Sequence, residues 1–146
     1  MSSSIPAPAA LASRLDTILM AAESLLRSLP DNGHSGGSPE DARHLGEAGF
    51  RLFRLGLAFI DAVDAGRLRE AWLREGLPDD MRESRTLANY GALVRGRVAG
   101  WFEGTEAAVF ARTIEGPDGT RSAHELLQLI TEQAAHHLRE LSALVD

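Results

Sequence analysis

Four stretches of this chain repeat apolar side chains at helical spacing, and that pattern limits what it can fold into. The first covers residues 8–29, where Leu11, Leu15, Ile18, Ala22, Leu25, Leu26 and Leu29 share one narrow sector of a helical wheel. The second covers residues 39–65, with Leu45, Leu52, Phe59, Ile60 and Val63 on its apolar face. Gly49 and Gly56 fall on that same face, where they permit close approach of a neighbouring helix at some cost in helix propensity. The third covers residues 85–103, with Leu87, Tyr90, Val94, Val98 and Trp101 aligned. The fourth covers residues 122–145, with Leu126, Ile130, Leu141 and Leu144 in one stripe.

The breaks between these stretches carry their own signals. Pro30-Asp31-Asn32-Gly33 ends the first segment, and Ser38-Pro39-Glu40-Asp41 reads as the capped, acidic start of the second. Residues 66–82 form a long connection, predicted to hold a short helix over 68–74 with Trp72 turned inward. Gly104 stops the third segment. Residues 107–120 alternate weakly and run into Gly116-Pro117-Asp118-Gly119, which predicts an extended segment or small hairpin. Ser122 and Glu125 then have capping-box spacing. The expectation is an all-α fold, a four-helix bundle with a short extra helix and a small extended segment in its long connections. A flexible tail is expected over residues 1–10 and a single domain over 11–146.

Composition excludes several classes of function. The 146 residues suit one domain with a real core. There is no cysteine, hence no disulfide, thiolate metal ligand or cysteine nucleophile. All 15 basic residues are arginine, so no lysine Schiff base is available. A formal net charge of −6 with scattered arginines speaks against nucleic acid as a partner. No apolar run is long enough to span a bilayer, and the first residues lack the basic and apolar regions of a signal peptide. A cytoplasmic location without membrane contact is the expectation.

Five histidines remain as the carriers of chemistry. His34 in a Gly/Ser loop and His124 in a first helical turn read as surface residues. His136 lies off the last stripe, within reach of Glu132 or Glu140. His137 falls inside that stripe, with Gln133 one turn earlier at its edge, and His44 borders the apolar face of the second segment. A pair at i, i+4 on one helix plus a histidine from a neighbour can build a metal site inside a bundle. Neutral imidazole suits zinc, nickel or iron, and such an ion can lower the pKa of a bound water. A histidine among apolar residues is equally explained by a hydrogen bond to a backbone carbonyl or carboxylate. Glu47, three residues after His44, is a candidate general base or a solvated helix residue. Tyr90 and Trp101 read as core aromatics, and Arg95 and Arg97 as surface.

The C-terminal residues Gly119-Thr120-Arg121-Ser122-Ala123-His124-Glu125-Leu126-Leu127 and Glu132-Gln133-Ala134-Ala135-His136-His137-Leu138-Arg139-Glu140-Leu141 resemble the DinB/YfiT-like superfamily. Arg43-His44-Leu45 with Glu47 adds a looser match. The resemblance implies a bundle of up-down-down-up topology, a homodimer, and a metal triad falling on His44, Gln133 and His137. Gln133 stands where the family pattern has histidine, so it implies either weaker ligation through an amide oxygen or loss of the metal. Relatives implied by the resemblance include thiol-dependent transferases, isomerases and metal-dependent hydrolases. The expected activity is therefore metal-dependent transfer of a thiol, or hydrolysis, on a small molecule, with Glu47 as base. The alternative is a non-catalytic bundle that binds a ligand or a second copy of itself.

Overall fold

The structure is a computed structural model describing residues 5–29 and 39–145, with side chains of the second helix described from residue 43 onward. It is all-α apart from one two-stranded hairpin. Helix α1 spans Pro8–Arg27, α2 Pro39–Ala65, α3 Ala71–Arg74, α4 Ser84–Glu103 and α5 Ala123–Val145, and the hairpin pairs β1, Thr113–Gly116, with β2, Gly119–Ser122. Helix α1 therefore begins inside the expected N-terminal tail. His34 and the predicted cap residue Ser38 lie outside the described residues, as do the side chains of Glu40 and Asp41.

The apolar stripes meet in one core. Leu11, Leu15 and Leu26 of α1, Leu52, Phe53 and Phe59 of α2, Leu87 and Val98 of α4, and Leu126, Leu127 and Ile130 of α5 are all buried. Each such side chain withdrawn from water contributes roughly 1.5–3 kcal/mol before the entropy of ordering is set against it. Helix α2 packs chiefly on α5 and also on α4, while α1 packs on α4 and α5. This two-sided neighbourhood explains why α2 buries Phe50 and Phe53 in addition to its predicted stripe.

Glycines set the spacing between α2 and α4. A Cβ at Gly56 would stand 2.9 Å from Val98 Cγ2, and one at Gly91 would stand 2.4 Å from Phe53 Cζ. The expectation that Gly49 and Gly56 permit close packing holds, and Gly91 supplies the reciprocal gap on α4. Tyr90 and Trp101, expected in the core, are half-buried at its margin. Tyr90 stacks on Phe50, and Trp101 meets Phe59 and Phe110 edge-on.

The connections differ from expectation in detail. Helix α2 ends at Gly66, whose φ of 79° suits a glycine beyond a helix C-terminus. Leu68 N–H then donates to Glu115 O at 2.7 Å, and Glu115 N–H donates to Gly66 O at 3.0 Å. Because Leu68 is tied to β1, the short helix cannot start there and forms only over Ala71–Arg74. The stretch predicted as extended from residue 107 begins instead as a 3₁₀ turn, Ala107–Ala111. That turn tucks Phe110 against Trp101 and Phe102. The hairpin follows, with Gly116 opposite Gly119 across a Pro117-Asp118 loop.

The predicted capping box is present. Ser122 Oγ accepts from Glu125 N–H at 3.0 Å, and Glu125 Oε1 accepts from Ser122 N–H at 2.9 Å. The hydrogen bonds from Ser122, with nearby Arg121, hold the Glu125 carboxyl below its usual range. A lowered folded-state value means the contribution is fully present above the ordinary glutamate pKa of about 4.3 and is lost as pH falls through the folded value. Urea melts across this acid range should therefore show a shallower loss of stability in Glu125→Gln than in the native chain. A second pair of variants tests the α2–α4 seam. Gly91→Ala should lower the unfolding free energy by about 1–3 kcal/mol through overpacking. Gly96→Ala, on the same helix with nothing within 4 Å of its new Cβ, should raise it by about 0.5–1 kcal/mol.

Candidate functional site

Near the first turns of α2, a cavity of about 550 Å3 opens between that helix and the C-terminal half of α5. His44, Glu47 and Arg51 of α2 face His137 and Glu140 of α5 across it. Arg82, from the connection before α4, closes one side. Spacing along α2 explains the first set, since residues 44, 47 and 51 follow one helical ridge. The cavity thus joins three of the sequence-predicted functional residues: His44, Glu47 and His137.

Glu47 is the most constrained of them. Its Oε1 accepts a long hydrogen bond from Leu77 N–H, 3.4 Å. Its Oε2 is buried yet has no hydrogen-bond partner. Arg51 Nη2 approaches that oxygen only to 3.9 Å, an ion-pair distance too long for a hydrogen bond. Leu77 reaches Glu47 because Gly46 has no side chain, and a Cβ there would stand 2.7 Å from Leu77 Cδ2. The connection is clasped to α2 a little further along. Arg54 lies 4.1 Å over the Trp72 ring and is ion-paired with Glu75.

His137 is oriented by its own helix. Its Nδ1 stands 2.8 Å from Glu140 Oε1. A carboxylate only accepts, so Nδ1 carries the proton and Nε2 keeps its lone pair when the ring is neutral. His137 lies on the inward side of α5 but is not fully buried: its side chain is 21% exposed where α5 passes the open cavity. His136 is exposed as expected, with Nε2 3.6 Å from Glu140 Oε1. His44 is exposed rather than set against the apolar face. His124, expected at the surface, is half-buried there, with Nε2 2.7 Å from Pro6 O just before α1.

Gln133 does not join this group. It is exposed and lines a separate groove of about 110 Å3 with Leu126, Leu129 and the hairpin. Turning back one helical turn from His137 moves along α5 toward the hairpin, and the 126–129–133 ridge faces that neighbour instead of α2. Among the described residues, no three His, Asp or Glu side chains already stand together as a metal-ligand set. Sequence reasoning missed the roles of Glu140, Arg51 and Arg82 at this cavity. The i, i+3 spacing of His137 and Glu140, and of His44 and Glu47 before Arg51, was the signal for two of them.

Comparisons of the chain with protein-family models, curated proteins and solved structures found no match. No helix among the described residues is long and apolar enough to cross a membrane. The clasp holds the connection that leads to Leu77 and Arg82 against α2. Trp72→Ala should remove a cation–π contact of about 0.5–2 kcal/mol and loosen the connection. Hydrogen exchange should then speed up over residues 71–81, while amides in the middle of α1 and α5 keep their protection.

Proposed function

We propose that this cavity is the active site of a DinB-like bundle that works with a divalent metal ion on a small electrophile, by thiol transfer or hydrolysis. The observation that carries the reading is Glu47 Oε2, a buried carboxylate oxygen with no hydrogen-bond partner, on the wall shared with His44 and His137. A buried anionic oxygen left unpaired is costly and fits a cation or a proton donor beside it. His137 adds to the fit, since a carboxylate on Nδ1 is the arrangement that leaves Nε2 as a metal donor. His44, Glu47 and His137 would hold the ion, and Gln133 is not part of this set.

A divalent cation, when bound, supplies Lewis-acid activation of water or a thiol. The chain's own groups do the rest. Glu140 keeps the His137 ring in one orientation and tautomer. Leu77 N–H fixes one oxygen of Glu47, which leaves the other for the ion. Up-down-down-up topology is part of the proposal. Arg27, late in α1, bonds Asn89, early in α4, and Asp16 bonds Arg95, which supports opposite directions for these helices. The Phe50–Tyr90 and Phe59–Trp101 contacts support a common direction for α2 and α4, and the His124–Pro6 bond supports one for α1 and α5. A cytoplasmic homodimer completes the reading, with exposed Met20 of α1 and Leu93 of α4 offered as its contact.

A second reading is favoured by the lack of a ready three-ligand set among the described residues. On it, the bundle binds a small molecule at the same cavity without metal or catalysis. Metal content divides the two. Protein purified without a histidine tag and incubated with zinc, nickel or ferrous iron should retain one equivalent per chain. His137→Ala and Glu47→Gln should lose it, Glu140→Gln should bind about 10–100-fold more weakly, and Gln133→Ala should bind as the native chain does. Absence of uptake of all three metals by the native chain would rule out the first reading.

A further inference from the structure

We propose that the cavity selects a small molecule bearing one oxyanion group, a carboxylate or a phosphoryl, held by Arg43 and Arg51, with a neutral reacting end turned toward Glu47. The inference rests on the reading that this cavity is the functional site, but does not require a bound metal.

The wall itself carries the argument. Among the described residues Ala48 is the one apolar residue lining the cavity, so an apolar ligand would find little there to bury against. Its volume, about 550 Å3, falls within the range of small-molecule sites, roughly 300–1,000 Å3. Arg43, Arg51 and Arg82 line it against two carboxylates, although the chain as a whole carries a net charge of −6. With Asp79 on Arg82, the described charges at the wall balance, so the cavity is locally less acidic than the chain as a whole and can admit an anion.

The guanidinium groups also differ in how occupied they are. Arg82 is held by Asp79 at 2.9 Å. Arg27, Arg69 and Arg95, elsewhere on the surface, each reach a carboxylate oxygen at 3.0 Å or less. Arg43 is exposed and has no ion pair or hydrogen bond among the described residues. Arg51 has only the 3.9 Å approach to Glu47, and its side chain is 53% exposed. Residues 43, 47 and 51 are spaced one turn apart along α2, so the two guanidinium forks flank the carboxylate on one ridge. A guanidinium fork matches the two oxygens of a carboxylate or phosphoryl group, which sets the ligand class.

The carboxylates set the other half of the specificity. A ligand anionic throughout would be repelled by Glu47 and Glu140, so negative charge is confined to the end that meets the arginines. The end that meets the Glu47 carboxylate is neutral and bears a proton it can share as a hydrogen bond. Glu47 is thus the group that discriminates between ligands.

The full chain, stripped of metal by chelation and dialysed, is titrated with inorganic phosphate, propionate and the neutral isostere propionamide, following backbone and arginine Nε–H signals by NMR. Saturable shifts centred on Arg43 and Arg51 are expected with phosphate, propionate or both, and whichever binds identifies the oxyanion. The double variant R43Q/R51Q should bind at least about tenfold more weakly, with an unchanged thermal melt. Arg139→Gln, an exposed arginine outside the cavity, should bind as the native chain does. Failure of both anions to saturate, equal binding by the double variant, or equal binding of propionamide would overturn the proposal. Zinc content of R43Q/R51Q is measured alongside. Loss of anion binding with zinc uptake intact supports the proposal independently of the metal. A native chain that takes up no metal but still binds the anion defeats the metal reading alone.

Discussion

The approach of α2 to α4 governs the rest of this molecule, and missing side chains set it. Phe53 fills the space that a Cβ on Gly91 would need, and Val98 does the same over Gly56. With α4 drawn against one side of α2 and α5 against another, the burial of α2 exceeds one stripe. The connection from Gly66 to Ser84 then has only the outer face of α2 to lie on. It retraces that helix, touching Arg54 through Trp72 and Gly46 through Leu77. The cavity is where this retracing strand of chain, the start of α2 and the passing α5 fail to close completely.

That geometry explains why a carboxylate at residue 47 is under tension. One oxygen is taken by the backbone of the connection, and the other is shielded from water without gaining a partner. An apolar residue at this position would remove the cost of an unpaired buried oxygen. What Glu47 gains from the fold is the Leu77 N–H bond and the distant approach of Arg51, and its second oxygen shares little of either. Glu140 is the reverse case. It is exposed, and what it contributes is the fixed tautomer of a neighbouring ring.

The four long helices were legible because their signals are local. Apolar residues recur at helical spacing, Gly66 and Gly104 mark two ends, and Ser122 with Glu125 marks a start. The start of α3 was not legible, since it depends on Leu68 being held by Glu115, a partner distant in sequence. The site was legible in part. A wheel gives the direction of His137 and Gln133 about the α5 axis, but not which neighbour occupies that direction at each level. At His137 the neighbour is an open cavity, and at Gln133 it is the hairpin. The cavity arginines were hidden for a related reason: on a wheel, a guanidinium facing a concave wall looks the same as one facing bulk water.

Ser122 belongs to two structures at once. It is the last residue of β2, opposite Thr113, and its side chain caps the first turn of α5. No spacer separates strand from helix, and Ala123 N–H is itself bonded to Arg112 O at 2.8 Å. The rotational phase of α5 is thus geared to the register of the hairpin. One inserted residue at the junction would turn the helix by about 100° and advance it by about 1.5 Å, carrying His137 away from α2. The same insertion in the Pro117-Asp118 loop would leave that gearing intact. Length variation in this chain is therefore expected to be absorbed at the tip of the hairpin, with the junction keeping its length.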